Sequence, residues 1–194
     1  MKKSGKMFSD SLNELKEVRN VVVCALFAAI AVVLGYFTIV LGPFVKIGFS
    51  GIPNQLIAAL FGPVIGGLFG GALDIFKFII GPTGVFFPGF TFNAILAGVI
   101  YGCFFYKKKI SIWRIFLAHF VVIVIVNLGL TTYWLSILYG KGFFAIFPLR
   151  VLKNLIMWPI ESTILFTVMK TMDIAIKPYL SKSFTKVRTT LKSK

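Results

Sequence analysis

Long runs of apolar residues, almost free of charge, alternate along this chain with short polar or Gly/Pro-rich breaks. They predict six helices, at 18–41, 52–61, 64–80, 90–105, 112–139 and 148–171. The stretch "IPNQLIAALFGPVIGGLFGGALDIFKFII" reads either as one long helix or as two joined at Gly62-Pro63. Charge decides between them. Sixteen of the 21 Lys and Arg lie in three clusters: five before residue 20, four in 107–114, and seven from Lys170 onward. Splitting the stretch at Gly62-Pro63 puts all three clusters on one side, as the positive-inside rule requires, with both termini cytosolic. The second helix is then short for a bilayer, so its backbone must be covered by protein or face a cavity. Pro53, Pro63 and Pro148 stand near expected helix starts, where a missing N–H costs little.

Composition gives the class. The chain is 58% hydrophobic with 22 Phe, against roughly 45–50% apolar in soluble domains. The expected fold is therefore an all-α integral membrane protein, a single membrane domain over 1–194. Within it, 1–17 forms a cytosolic amphipathic lead-in and 172–194 a basic cytosolic tail. A cleavable signal is not expected, because residues 1–17 are polar where a signal would be apolar. A net charge of +15 would suggest nucleic acid in a soluble chain. Here the charge sits at helix ends, which excludes nucleic acid and points to anionic lipid. Cys24 and Cys103 lie in apolar runs and read as small buried hydrophobes, with no disulfide or metal framework.

Five bases fall outside the cytosolic clusters: Lys46, Lys77, Lys141, Arg150 and Lys153. The six-helix topology sends all five to the outer face. Of the six acids only Asp74 and Glu161 lie within spans, and an ionisable group at membrane depth usually faces a bundle interior or wet cavity. Asp74 sits roughly 9 Å below the outer end of its helix. It could simply pair with Lys77 at i,i+3, a contact of small value. Alternatively it forms the floor of a pocket open to the outer face, shared with Lys46, Lys77, Arg150 and Lys153. Phe86, Phe87 and Phe90 follow Lys77 in the chain, and Tyr133 and Trp134 stand near the outer end of the fifth helix. An acid, several bases and flat side chains suit a planar, anionic ligand with a hydrogen-bond donor edge. Asn154, beside Lys153, either reaches that ligand or bonds between helices, as Asn127 does.

These residues also resemble a known family. "PFVKIGFSGIPNQLIAALFGPVIGGLFGGALDIFKFI", "PTGVFFPGFTFNAILAG", "TTYWLSILYG" and "PLRVLKNLIMWPIES" are similar to the folate-specific (FolT type) substrate-binding S components of energy-coupling factor (ECF) vitamin transporters. The resemblance covers essentially the whole chain. It implies a multi-pass subunit of the bacterial plasma membrane that captures folate at the outer face. A transmembrane coupling (T) component and two cytosolic ATPases would drive release, with ATP used by those partners and no cofactor on this chain. It implies Asp74 at the pterin edge, the Phe and Trp band on the rings, and Lys77, Arg150 or Lys153 on the glutamate tail. The family's coupling contact, carried by small residues on the first helix, maps to Ala25 and Ala29. Their i,i+4 spacing allows close approach by another helix. The stretches Gly62, Gly66, Gly70 and Ala94, Gly98, Gly102 read as internal packing instead.

His119 stands without ligand-spaced Cys, Asp or Glu and reads as a hydrogen-bonded helix residue; Glu161 reads as structural. No Walker A loop, GxSxG elbow or HExxH pair is present, so the chain carries no ATPase or hydrolase apparatus. The alternatives are an S component for riboflavin or pantothenate, or a membrane-embedded enzyme using Asp74, Glu161 or His119. The scattered placement of those three disfavours the enzyme. "GPTGVFFPG" has the composition of a hinged lid.

Overall fold

The computed structural model describes the backbone of residues 2–14, 17–40, 44, 46–82 and 84–192, and the side chains of these except at 2–6, 13, 40, 173 and 175–192. The element order is α1 (Lys2–Glu14), α2 (Val18–Tyr36), β1 (Ile39–Val40), β2 (Lys46–Ile47), α3 (Ile52–Phe61), α4 (Pro63–Ile80) and α5 (Pro88–Phe105). It continues through α6 (Ile112–Val122), a π-helical segment (Ile123–Leu130), α7 (Thr131–Tyr139) and α8 (Phe143–Lys192). Five helical stretches are long and apolar enough to cross a membrane: Val18–Tyr36, Pro63–Ile80, Pro88–Phe105, Ile112–Tyr139 and Phe143–Met172. The remaining expected span, second in chain order, is α3, which has ten residues.

The boundaries differ from the sequence expectation in physically readable ways. The first span ends at Tyr36, short of 41, where Phe37 and Thr38 tighten the last turn with i→i+3 bonds to Leu34 and Gly35. Residue 41 itself lies outside the described residues. The chain then forms a two-residue antiparallel ladder, Ile39 opposite Ile47 and Val40 opposite Lys46, in a fold expected to be purely helical. β-Branched Thr38, Ile39 and Val40 favour that extended path. Helix α5 begins at Pro88, with proline at its first turn, rather than at Phe90. Pro148, expected near the start of the last span, lies instead in the second turn of α8, which begins at Phe143 and continues past 171. The side chains of the basic tail beyond 174 fall outside the described residues.

Glycine sets the closest helix crossing. A Cβ on Gly98 would collide with the Gly66 carbonyl oxygen, one on Gly70 would lie 2.6 Å from Ala94 O, and one on Gly102 would strike Pro63. Helices α4 and α5 therefore meet backbone to backbone, as the Gly/Ala spacing predicts. Helix α3 has seven buried residues among its ten, so protein covers a helix too short to span on its own. Its break from α4 is made by Gly62 at φ 95°, a left-handed conformation for which glycine is suited.

The opposite end of α4 from Asp74 is tied to α1. Ser11 Oγ donates to Phe61 O (2.6 Å) and accepts the Ile65 N–H (3.4 Å), capping α4 in place of the side chain that Gly62 lacks. Lys107 pairs with Asp10 at 2.7 Å and Tyr106 Oη donates to Glu14 at 3.3 Å. The Asp10 carboxylate raises the Lys107 ammonium above its ordinary value. Between the helices, Ser162 Oγ donates to His119 Nδ1 (3.2 Å) and His119 Nε2 donates to Gln55 Oε1 (3.3 Å). That bonding pins α3, α6 and α8 together and gives His119 the structural role expected of it. Leu56, Tyr101, Ile115, Val122 and Leu165 belong to the main apolar core around it.

Candidate functional site

One cavity of about 800 Å³ opens among α2, the β1–β2 ladder, α4, residues 81–82 and 84–87, the start of α5, α7 and the start of α8. That lies within the size range of small-molecule sites. Eight of the eleven residues expected to bind ligand line it: Lys46, Asp74, Lys77, Phe86, Phe87, Phe90, Arg150 and Lys153. Residues from five separate elements thus meet at one end of the bundle.

Asp74 and Lys77 do not form an ion pair with each other among the described residues. Thr91 Oγ1 donates to Asp74 Oδ2 at 2.7 Å, while Lys77 Nζ donates to Ser50 O at 2.9 Å. The helix therefore sends its acid towards α5 and its base towards the loop before α3, leaving the second Asp74 oxygen without a bond to Lys77. One fixed carboxylate oxygen and one further acceptor suit a ligand edge with two parallel N–H groups. In the ladder, burial lowers the Lys46 ammonium from its ordinary value, against the opposing pull of Asp74.

The aromatic wall is built in two layers. Phe87 and Phe90 lie edge to face with centroids 5.8 Å apart, and Phe86 leans on Phe78 at 5.0 Å. Trp134, expected on the ligand, stands behind Phe87 at 5.5 Å. Its indole lies over Gly89, where a Cβ would sit 2.8 Å from the ring, and its Nε1 donates to Asn93 Oδ1 at 3.3 Å. Tyr133 packs on Trp134 at 5.1 Å and is half exposed. Neither lines the cavity, and neither does Asn154, which is buried with its Nδ2 unpartnered.

Sequence reasoning missed Thr91, which orients Asp74, and Asn93, whose Nδ2 donates to Thr131 Oγ1 at 3.0 Å. Single neutral polar residues inside apolar helices carry no signal of what they face. It also missed Phe44 and Tyr139, whose rings meet edge to face at 5.3 Å in the cavity lining. Lys141 lies over the Phe44 ring at 5.1 Å. Ala25 and Ala29 are exposed on α2 beside Leu26 and Ile30. No cluster of three or more His, Cys, Asp or Glu suited to a metal occurs among the described residues.

The family model for "ECF transporter, substrate-specific component" matches residues 19–169. The folate transporter FolT of Clostridium novyi is 37% identical over 159 residues, covering 82% of this chain and 92% of that protein. The folate transporter FolT of Leuconostoc mesenteroides is 34% identical over 151 residues, covering 75% and 81%. A crystal structure of FolT bound with folic acid superposes with a TM-score of 0.73 at 35% identity, covering 78% of this chain and 93% of that one. With the family model spanning most of the chain, and apolar helices that fit a multi-pass protein of the cell membrane, the chain belongs to the substrate-specific components of ECF transporters.

Proposed function

We propose that this chain captures folate at the outer face of the membrane as the binding subunit of an ECF importer, a transport role rather than an enzymatic one. The observation that carries it is Asp74, held by Thr91 in a cavity with four basic residues and a phenylalanine wall. The relatives named folate transporters and the folic-acid-bound structure support the same ligand. Asp74 takes the donor edge of the pterin, Phe86, Phe87 and Phe90 hold the rings, and Lys46, Lys77, Lys153 or Arg150 meet the glutamate carboxylates. Trp134 backs Phe87, Tyr133 supports Trp134, and Asn154 lies one position from Lys153. The fold crosses the membrane six times with both termini cytosolic, a reading supported by the protein cover around α3 and by the charge distribution. Anionic lipid meets the basic ends. A T component and two ATPases complete the importer, and the exposed Ala25 and Ala29 form the contact for the T component.

Equilibrium titration of purified protein without ATP tests the ligand. Folate is expected to bind stoichiometrically, and Asp74→Asn to weaken it roughly 10- to 100-fold, the effect of losing about 1.5–3 kcal/mol of charge-assisted bonding. Leu68→Ala, on an exposed face of α4, should leave affinity nearly unchanged. Well-folded protein that binds riboflavin or pantothenate but not folate sinks the assignment.

A further inference from the structure

The Arg150 guanidinium bridges two main-chain carbonyls from distant parts of the chain. Its Nη1 donates to Phe44 O and its Nη2 to Asn127 O, each at 3.1 Å. Phe44 adjoins the ladder that carries Lys46, and its ring already rests on Tyr139 and under Lys141. Asn127 lies in the π-helical segment, whose Val126 and Asn127 carbonyls also take the Thr131 and Thr132 hydroxyls at i−5. Wide helical turns of this kind often mark functional positions. A further donor, Nε, is buried without a protein partner.

Such a planar fork can hold two acceptors in fixed relative positions, which a lysine ammonium on a flexible stem does not reproduce. We infer that Arg150 is a positioning residue: it clasps the Phe44 main chain to the π-helical segment from α8 and so sets the shape of the cavity on the side that Phe44 lines, leaving the lysines to meet the ligand's carboxylates. The second half of this statement rests on the folate reading; the clasp does not.

The test separates the two. Nitroxide labels are placed at Ile39→Cys and Phe144→Cys, both well exposed, in a Cys24→Ser, Cys103→Ser background. Distances are measured in lipid nanodiscs with no vitamin present. A narrow distribution is expected for Arg150, and a broadened or shifted one for both Arg150→Gln and Arg150→Lys. Unchanged distributions in both variants overturn the clasp. In parallel, folate and methyl pteroate, which keeps the rings but has no free carboxylate, are titrated against the same proteins. Loss of preorganisation should weaken both ligands by a similar factor, roughly tenfold, in both variants. A loss confined to folate and restored by Arg150→Lys would assign Arg150 to the tail and overturn the division of labour. If unsubstituted protein binds neither ligand, the folate reading fails while the label distances still decide the clasp.

Discussion

At the residue scale, the cavity's charge balance makes ligand capture pH-dependent. Burial lowers Lys46 from its ordinary value of 10.5 and Asp74 only partly opposes this, so its ammonium is lost at a lower pH than that of a solvated lysine. An anionic ligand favours the charged form; affinity therefore falls as pH rises through that lowered value. Stability of the empty protein moves the other way, because a charge disfavoured in the folded state costs least once the proton has gone. Folate titrations from about pH 7 to about pH 10 should show the decline, and Lys46→Gln should flatten it; a decline unaltered by that substitution rules Lys46 out as its source. Charged residues were the readable part of this site. Asp74, Lys77, Arg150 and Lys153 stood out because ionised groups are costly at membrane depth. Thr91, Asn93 and Thr131 did not, since a hydroxyl or amide can satisfy itself locally in any helix. Trp134 could be assigned to the right end of the bundle but not to the right layer, because Gly89 sets how deep it sits.

At the element scale, the pocket end of α4 depends on a crossing made near its other end. The Gly66–Gly98 approach leaves no room for a methyl group, and overpacking a tight core costs about 1–3 kcal/mol. Gly98→Ala is expected to lower the thermal midpoint clearly and to weaken ligand binding by moving α4 against α5, since Asp74 and Thr91 lie on those two helices. Gly142→Ala, with nothing within 4 Å of the added carbon, is the matched control and should leave the midpoint nearly unchanged. Equal midpoints for the two variants would mean that the crossing yields without cost. The small-residue spacing made this crossing legible in advance, as Gly62-Pro63 did the α3–α4 break. The π-helical segment was not, because "IVIVNLGL" fits an ordinary apolar helix equally well. What widens there involves the Thr131 and Thr132 hydroxyls bonding five residues back, a choice between near-equal backbone states that hydropathy does not register.

At the scale of the whole molecule, sidedness is the property that function needs and that the charge clusters are expected to set. Lys46, Gly81, Phe87, Tyr139 and Arg150 gather round one cavity, while Ser11, Gly62, Tyr106 and Lys107 meet at the far ends of the same helices. Each helix from α2 onward joins one group to the other only if α3 returns the chain, so its ten residues decide the number of crossings. An impermeant thiol reagent on intact cells tests this with single cysteines in a Cys24→Ser, Cys103→Ser background. Val85→Cys and Lys141→Cys are expected to react from outside, and Lys109→Cys only after permeabilisation. Reaction of Val85→Cys and Lys141→Cys only after permeabilisation, with Lys109→Cys reacting from outside, would reverse the orientation of the cavity, and reaction of Glu17→Cys, exposed just before α2, from the side opposite Lys109→Cys would reduce α3 to a re-entrant piece. The predicted arrangement asks five bases to stand at the outer end, against the positive-inside bias. Four of them line the cavity and Lys141 lies over the Phe44 ring beside it, which makes that tolerable, since water can reach the charges while the site is empty and an anion meets them when it is filled. Removing Lys153 or Lys77 should therefore weaken ligand binding while leaving the sidedness of the reporter cysteines unchanged, because the sixteen clustered bases set orientation by themselves.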